Sequence, residues 1–161
     1  MTTLEPSARL ENLKKSIDVY LAASPALAGP AVDWEGAGSH LTGAAEWIQP
    51  RLMPGSRHFH RQVRASRRGE SVYCHLSINI FVRRTGETNA ARLYELRDLV
   101  AEVLYPGTAI DLKDFEEDPP ETVGLIKVDQ VVTDRTVPGR PGDPDQYNFT
   151  VRAYFLAEWS L

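Results

Sequence analysis

The sequence is short of the residues from which most protein chemistry is built. One cysteine, Cys74, stands in 161 residues. No intramolecular disulfide can form, and no CxxC pair exists to hold zinc or cycle electrons. A chain that manages without disulfides suits a reducing compartment. Histidine is scarce, with 4 in the chain. Cys74 and His75 are adjacent in an alternating stretch, so their side chains point to opposite faces of a strand and cannot form a thiolate–imidazole pair. His58 and His60 share a strand face, but no nearby cysteine or second histidine pair completes a structural zinc set. The GxSxG elbow is absent, and Gly36-Ala37-Gly38 lacks the third glycine of a phosphate-cradling loop. No catalytic, cofactor or metal residues are assigned, and the chain reads as a non-enzyme.

Long apolar runs are missing as well. None approaches the about 20 residues that a membrane helix requires, so no membrane partner is expected. Met1 to Arg9 lacks the basic-then-apolar order of a signal peptide. The expectation is a protein made in the cytoplasm and kept there until it assembles. A strong excess of one charge is also lacking, since the formal net charge is −4. That excludes indiscriminate nucleic-acid binding by the whole surface but leaves a local basic patch possible.

What is present is an ordinary globular composition, 42% hydrophobic and 25% charged, in a length typical of one domain. Leu10, Leu13, Ile17, Tyr20 and Leu21 keep helical spacing and predict an amphipathic helix over about 7–23. Ser7 is a candidate cap, and Pro25 disfavours helix at the residue before it. Ala31 to Trp34 suggests a short strand. The Ala45 to Met53 segment contains Pro50, which places it at a sheet edge or bulge. A long hairpin is expected over about 57–84, with Phe59 to Ala65 as one arm, Ser66 to Glu70 as its turn and Val72 to Val82 as the return. In the return strand Val72, Cys74, Leu76, Ile78, Ile80 and Val82 alternate with polar or aromatic residues, so one face meets a core.

Leu93, Leu96, Val100, Val103 and Leu104 predict a second helix over about 88–105, with Thr88 as cap and Pro106-Gly107 as stop. Ala109 to Leu112 suggests a further short strand. A C-terminal hairpin is expected over about 122–159. In its first strand Ile126, Val128 and Val132 should share one side, and its last strand alternates from Tyr147 to Trp159. Asp134 to Gln146, rich in proline and glycine, is unsuited to regular structure. Strands joined by hairpin-like loops, with two amphipathic helices on one face, make one α+β domain with a mixed, largely antiparallel sheet.

Charge is segregated. Arg57, Arg61, Arg64, Arg67 and Arg68 lie on one hairpin arm, with Arg83 and Arg84 at its far end. Asp114, Glu116, Glu117 and Asp118 form an acidic run whose spacing fits no calcium loop. The basic strip suits a solvated face, a protein interface or contact with phosphates. The acidic run suits a solvated loop or a partner-facing surface. Arg61, Arg64, Arg67, Arg68, Asp114, Glu116, Glu117 and Asp118 are therefore the candidate partner residues. Trp34, Trp47, Tyr154 and Leu156 are apolar candidates wherever they face solvent.

The order of elements also resembles a known family. Val32-Asp33-Trp34, then Glu46-Trp47-Ile48-Gln49-Pro50-Arg51-Leu52, follow the first helix. An arginine-bearing arm, the strand Val72 to Val82, the helix Leu93 to Leu104 with Pro106-Gly107, and a closing hairpin come next. From about residue 8 to residue 159 this is similar to the tail terminator, or minor tail completion, proteins of tailed bacteriophages. The resemblance implies a hexameric ring that caps the head-proximal end of the tail tube, ends its polymerisation and offers the neck of the filled head a docking surface. Its partners would be copies of itself, the tail tube protein and a head or neck connector, with DNA passing through the ring without sequence-specific binding. It would act in the virion after assembly in the host cytoplasm. A head-completion or neck connector of the same particle, and a small nucleic-acid-binding module, are the alternatives.

Overall fold

The computed structural model describes residues 9–36, 43–54, 62–64, 67–83, 90–134 and 146–160. In chain order these form α1 (Leu10–Ala22), a 3-10 turn (Pro25–Leu27), β1 (Ala31–Val32), β2 (Glu46–Pro54), β3 (Gln62–Arg64), β4 (Arg67–Arg83), α2 (Ala90–Val103), β5 (Ala109–Asp114), β6 (Glu121–Asp134) and β7 (Gln146–Ser160). The strands make one seven-stranded sheet in the order β1-β2-β4-β7-β6-β5, with β3 pairing to β4. Only β1 and β2 run parallel, and every other pair is antiparallel. The fold is α+β, as the alternating strand and helix patterns lead one to expect.

The core lies on one face. Leu76, Ile78, Ile80 and Val82 of β4, Val151, Ala153 and Phe155 of β7, and Ile126 and Val128 of β6 are buried in one cluster with Leu13, Ile17 and Leu21 of α1 and Leu93, Leu96 and Val100 of α2. Both helices thus cover the same side of the sheet. The period-two residues of β4 supply the middle of this cluster because β2 and β7 flank that strand. Tyr20 ties the two helices together: its hydroxyl donates to the carbonyl of Val103 at 2.9 Å, one of the α2 acceptors left without an intrahelical partner. Gly107, at φ +93°, turns the chain from α2 back to the sheet. There its N–H donates to the Val128 carbonyl at 2.8 Å.

The buried thiol of Cys74 belongs to the same core, and burial pushes its pKa up to about 12. Few thiolates then exist at neutral pH. The native chain should react with a disulfide reagent roughly a thousandfold more slowly than an exposed cysteine. Adding denaturant should restore the ordinary rate. Fast labelling of the native protein would place Cys74 outside the core.

Several expectations need correction. Arg67 and Arg68 are not in the turn but open β4, where they pair with Arg64 and Val63. Val132 does not join Ile126 and Val128. A register shift between Val128 and Gln130 turns the strand by one residue, and Val131 packs on the core instead. The first helix begins at Leu10 with Arg9 as its cap residue and no side-chain cap bond. The second begins at Ala90 and ends at Val103. The candidate caps Ser7 and Thr88, and the loop over 135–145, lie outside the described residues.

Parts of both sheet edges are covered by neighbouring groups. At the β5 edge α1 presents two short polar side chains one turn apart. Ser16 Oγ accepts the Lys113 N–H at 2.9 Å, and Asn12 Oδ1 accepts the Phe115 N–H at 3.1 Å. At the other edge β1 covers only Trp47 and Ile48. Beyond it the Ile48 carbonyl accepts the Asp33 N–H at 2.9 Å, and the Leu52 N–H meets a Glu35 carboxylate oxygen at 3.4 Å. Pro50 falls between these two outward positions, where a strand would otherwise show a free donor. The expected edge placement of the proline segment thus has a structural reason.

Candidate assembly surfaces

The arginine arm and the acidic loop can be placed by strand register. Gly69 of β4 pairs with Ser160 of β7, Leu125 of β6 with Glu158 of β7, and Asp114 of β5 with Glu121 of β6. The β3–β4 turn and the segment joining β5 to β6 therefore sit at the same end of the sheet. They lie on opposite sides of it, because β3 occupies the flank of β4 that β2 occupies further along, while β5 is the far edge. Arg64, Arg67 and Arg68 lie at that end by register. Arg57, Arg61, Arg84, His58 and His60 lie outside the described residues.

Within the acidic run the residues divide. Asp114, expected to face a partner, is 5% exposed. Its Oδ1 accepts from Asn12 Nδ2 at 3.0 Å and from the Glu116 N–H at 3.1 Å. It is part of the lock that holds α1 on the β5 edge. Glu116 is exposed and ion-paired with Arg9. Glu117 and Asp118 are exposed, so the outward acidic surface consists of residues 116–118. Sequence alone missed Asn12 and Ser16. Two polar residues four apart at the border of an apolar stripe were the available signal.

Trp47, offered as an apolar surface residue, is buried. It does not lie in the core, since Ile48, its neighbour, is the residue that faces the helices. Trp47 stacks on Phe81, its cross-strand partner, on the other face of the sheet, with ring centres 4.9 Å apart and an interplanar angle of 11°. Trp34 is half-buried against the core. The side chains of Tyr154 and Leu156 are outside the described residues.

Two ion pairs fix the β2 strand. Asp33 accepts from Gln49 Nε2 at 2.7 Å and from Arg51 Nη2 at 2.9 Å, and Arg51 also donates to the Asp33 carbonyl at 2.7 Å. Glu46 takes both forks of Arg92 from α2, at 2.7 and 2.8 Å. The hydrogen bonds from Arg92 hold the Glu46 carboxyl below its ordinary range, against a smaller opposing effect of burial. A depressed carboxylate stabilises the fold above the unfolded value of about 4.3, and that contribution disappears as pH falls through the lower folded value. Arg92→Met should therefore cost about 0.5–1 kcal/mol at neutral pH, a figure reduced because the pair is partly solvated. The deficit should vanish in acid below the folded value. Urea midpoints of both proteins in neutral and acid buffer test this, and a deficit independent of pH would contradict it.

Among the described residues no group of three or more histidine, cysteine, aspartate or glutamate side chains could hold a metal ion. No helix of the described residues is long and apolar enough to cross a membrane.

The sequence matches no family model and no curated protein. Among solved structures, one chain that carries only a sequence identifier as its name is similar in fold. Its TM-score is 0.53 at 9% identity, over 93% of this chain and 96% of that chain. At that identity the likeness concerns the fold alone.

Proposed function

We propose that this chain is a structural subunit of a tailed-phage particle, a tail terminator. Copies of it form a ring on the head-proximal end of the tail tube, stop tube growth and offer the neck a docking surface. The observation that carries this reading is the placement of opposite charge at one end of the sheet and on opposite sides of it. A closed ring needs two complementary surfaces per subunit, unlike a two-fold dimer. Subunits set side by side with their ends level bring the arginine arm of one toward residues 116–118 of the next. The element order that resembles the terminator family supplies the rest.

Arginine suits this contact because its planar fork engages a carboxylate through two bonds. Exposed pairs contribute only about 0–1 kcal/mol each, so charge sets register and rate while apolar contacts give most of the affinity. The double variant Arg64→Glu with Arg67→Glu should fold normally but assemble rings slowly, and phage carrying it should show overlong tails. Raised salt should slow assembly of the unaltered chain in the same way. Normal ring formation and normal tail lengths in the double variant would overturn the proposal. Tails of normal length that fail to join heads would point instead to a neck connector, and salt-sensitive DNA binding lost in the variant would point to a nucleic-acid module.

A further inference from the structure

The sheet face opposite the helices holds two buried nitrogen donors with no acceptor among the described residues. Trp47 of β2 and Phe81 of β4 are stacked there, and the guanidinium carbon of Arg83, two residues along β4, lies 5.6 Å from the centre of the indole ring. Trp47 is 6% exposed. Its Nε1–H and the Nε–H of Arg83 are both buried, and neither has an acceptor among the described residues. A buried N–H left unpaired costs about 1–3 kcal/mol. Such orphans are few in folded proteins, so two on touching side chains mark a place where an acceptor belongs.

We propose that Trp47, Phe81 and Arg83 form a carboxylate-binding site, filled by an acidic side chain of a partner protein other than a second copy of this chain. The donors select the chemistry. A guanidinium offers its Nε–H as one prong of a planar fork that matches the two oxygens of a carboxylate. The indole adds one further donor and no acceptor. Flat aromatic walls admit a planar carboxylate more readily than a tetrahedral phosphate, which would need donors on more sides. Access requires one movement. The Arg83 side chain covers the indole, while its backbone is held by its N–H to the Ala45 carbonyl at 2.9 Å. The guanidinium would swing outward onto the incoming carboxylate and open the space over the indole.

Position selects the source. Trp47 pairs with Phe81 near the last residue of β4, Arg83, which itself pairs with Gln146 at the start of β7. That is the end of the sheet opposite the arginine arm and the 115–120 loop. In a side-by-side ring with ends level, a neighbour's Glu116, Glu117 and Asp118, the acidic surface assigned to the ring contact, lie at the wrong end to reach it. We therefore assign the carboxylate to the protein that stacks on that end of the ring. This last step rests on the ring reading, whereas the carboxylate site itself does not.

The site is tested on the isolated full chain by nitrogen–proton NMR, with the Trp47 and Arg83 side-chain signals assigned through Trp47→Phe and Arg83→Lys. Sodium acetate is titrated against sodium chloride of equal ionic strength. Acetate should move the Trp47 Nε1–H and Arg83 Nε–H signals together and saturably, and Arg83→Met, folded by circular dichroism, should abolish the Trp47 response. No saturable movement beyond the chloride control would overturn the site, as would a larger effect of sodium phosphate. In the particle, Arg83→Met should lower by roughly tenfold either the yield of joined heads and tails, with tail length normal, where the site meets the neck, or the yield of capped tubes, with tails overlong, where it meets the tube, the effect of losing one charge-assisted bond. Acetate binding with unchanged joining and capping would overturn the partner as the source and leave a site for free small carboxylates. Failure of the ring reading is seen separately, in the tail lengths of the Arg64 and Arg67 variant.

Discussion

Replacing Asn12 by aspartate should destabilise the chain by about 3–5 kcal/mol, the penalty of a buried charge without compensation. Asn12 and Asp114 are both nearly inaccessible to water. The asparagine donates one hydrogen bond to the carboxylate, at 3.0 Å, and accepts another from the Phe115 N–H, at 3.1 Å. The substitution keeps the shape and the acceptor, but turns the donor that faces Asp114 into a second negative oxygen at hydrogen-bond distance. Asn12→Ala should cost less, about 1–3 kcal/mol, because it leaves groups unpaired without adding a charge. The order of these two variants in urea denaturation is the decisive reading. If Asn12→Asp proved as stable as the original, the lock between α1 and β5 would not exist as described.

Ile78→Ala should cost about 2–5 kcal/mol through lost burial and the cavity left behind. Ile78 is fully buried in the middle of β4, between Pro50 of β2 and Val151 of β7, where backbone on both sides limits collapse. Ser77→Ala, one residue away but on the other face, should change stability by no more than about 0.5 kcal/mol. The pair tests the register of the strand as a whole, since a slip of one residue would exchange the two results. Equal losses at Ile78 and Ser77 would refute the placement of the core on one face.

How much of this could be read from the sequence depends on the range of the interactions involved. The faces of β4 and the buried stripes of both helices follow from periodicity, because each repeats one local geometry many times. Cys74 is readable for the same reason, as one member of a six-residue alternation. The phase of β6 is not: the irregularity near Asp129 exchanges Val132 for Val131 on the core side, and it depends on the partner strand. Asp114 shows the same limit. Its neighbours suggest a solvated acidic run, but the donor that holds it lies 102 residues away. Trp47 is legible as important and illegible as to why. Alternation would assign it to one face or the other, and only the pairing with Phe81 gives it a stack on the face without helices. The position of the arm and the acidic loop at one end needs three strand registers together, which no local pattern contains.

The place of β7 in the sheet has a consequence for the making of this protein. It is the strand latest in the chain among those described, yet it stands between β4 and β6 and is the strand through which the β1-β2-β4 half meets the β6-β5 half. A ribosome working from the first residue therefore releases two partial sheets with no common strand until residues 146–160 have emerged. Before that moment Cys74 to Val82 of β4 and the inner residues of β6 have water where β7 will lie. Joining of the two halves is then deferred until residues 146–160 have emerged, and a nascent chain interrupted before residue 146 has the arginine arm and the acidic loop but no complete sheet holding them at a common level. Under the proposed ring reading such timing would act as proofreading, because incomplete chains would be screened out before they could occupy a place in an assembly.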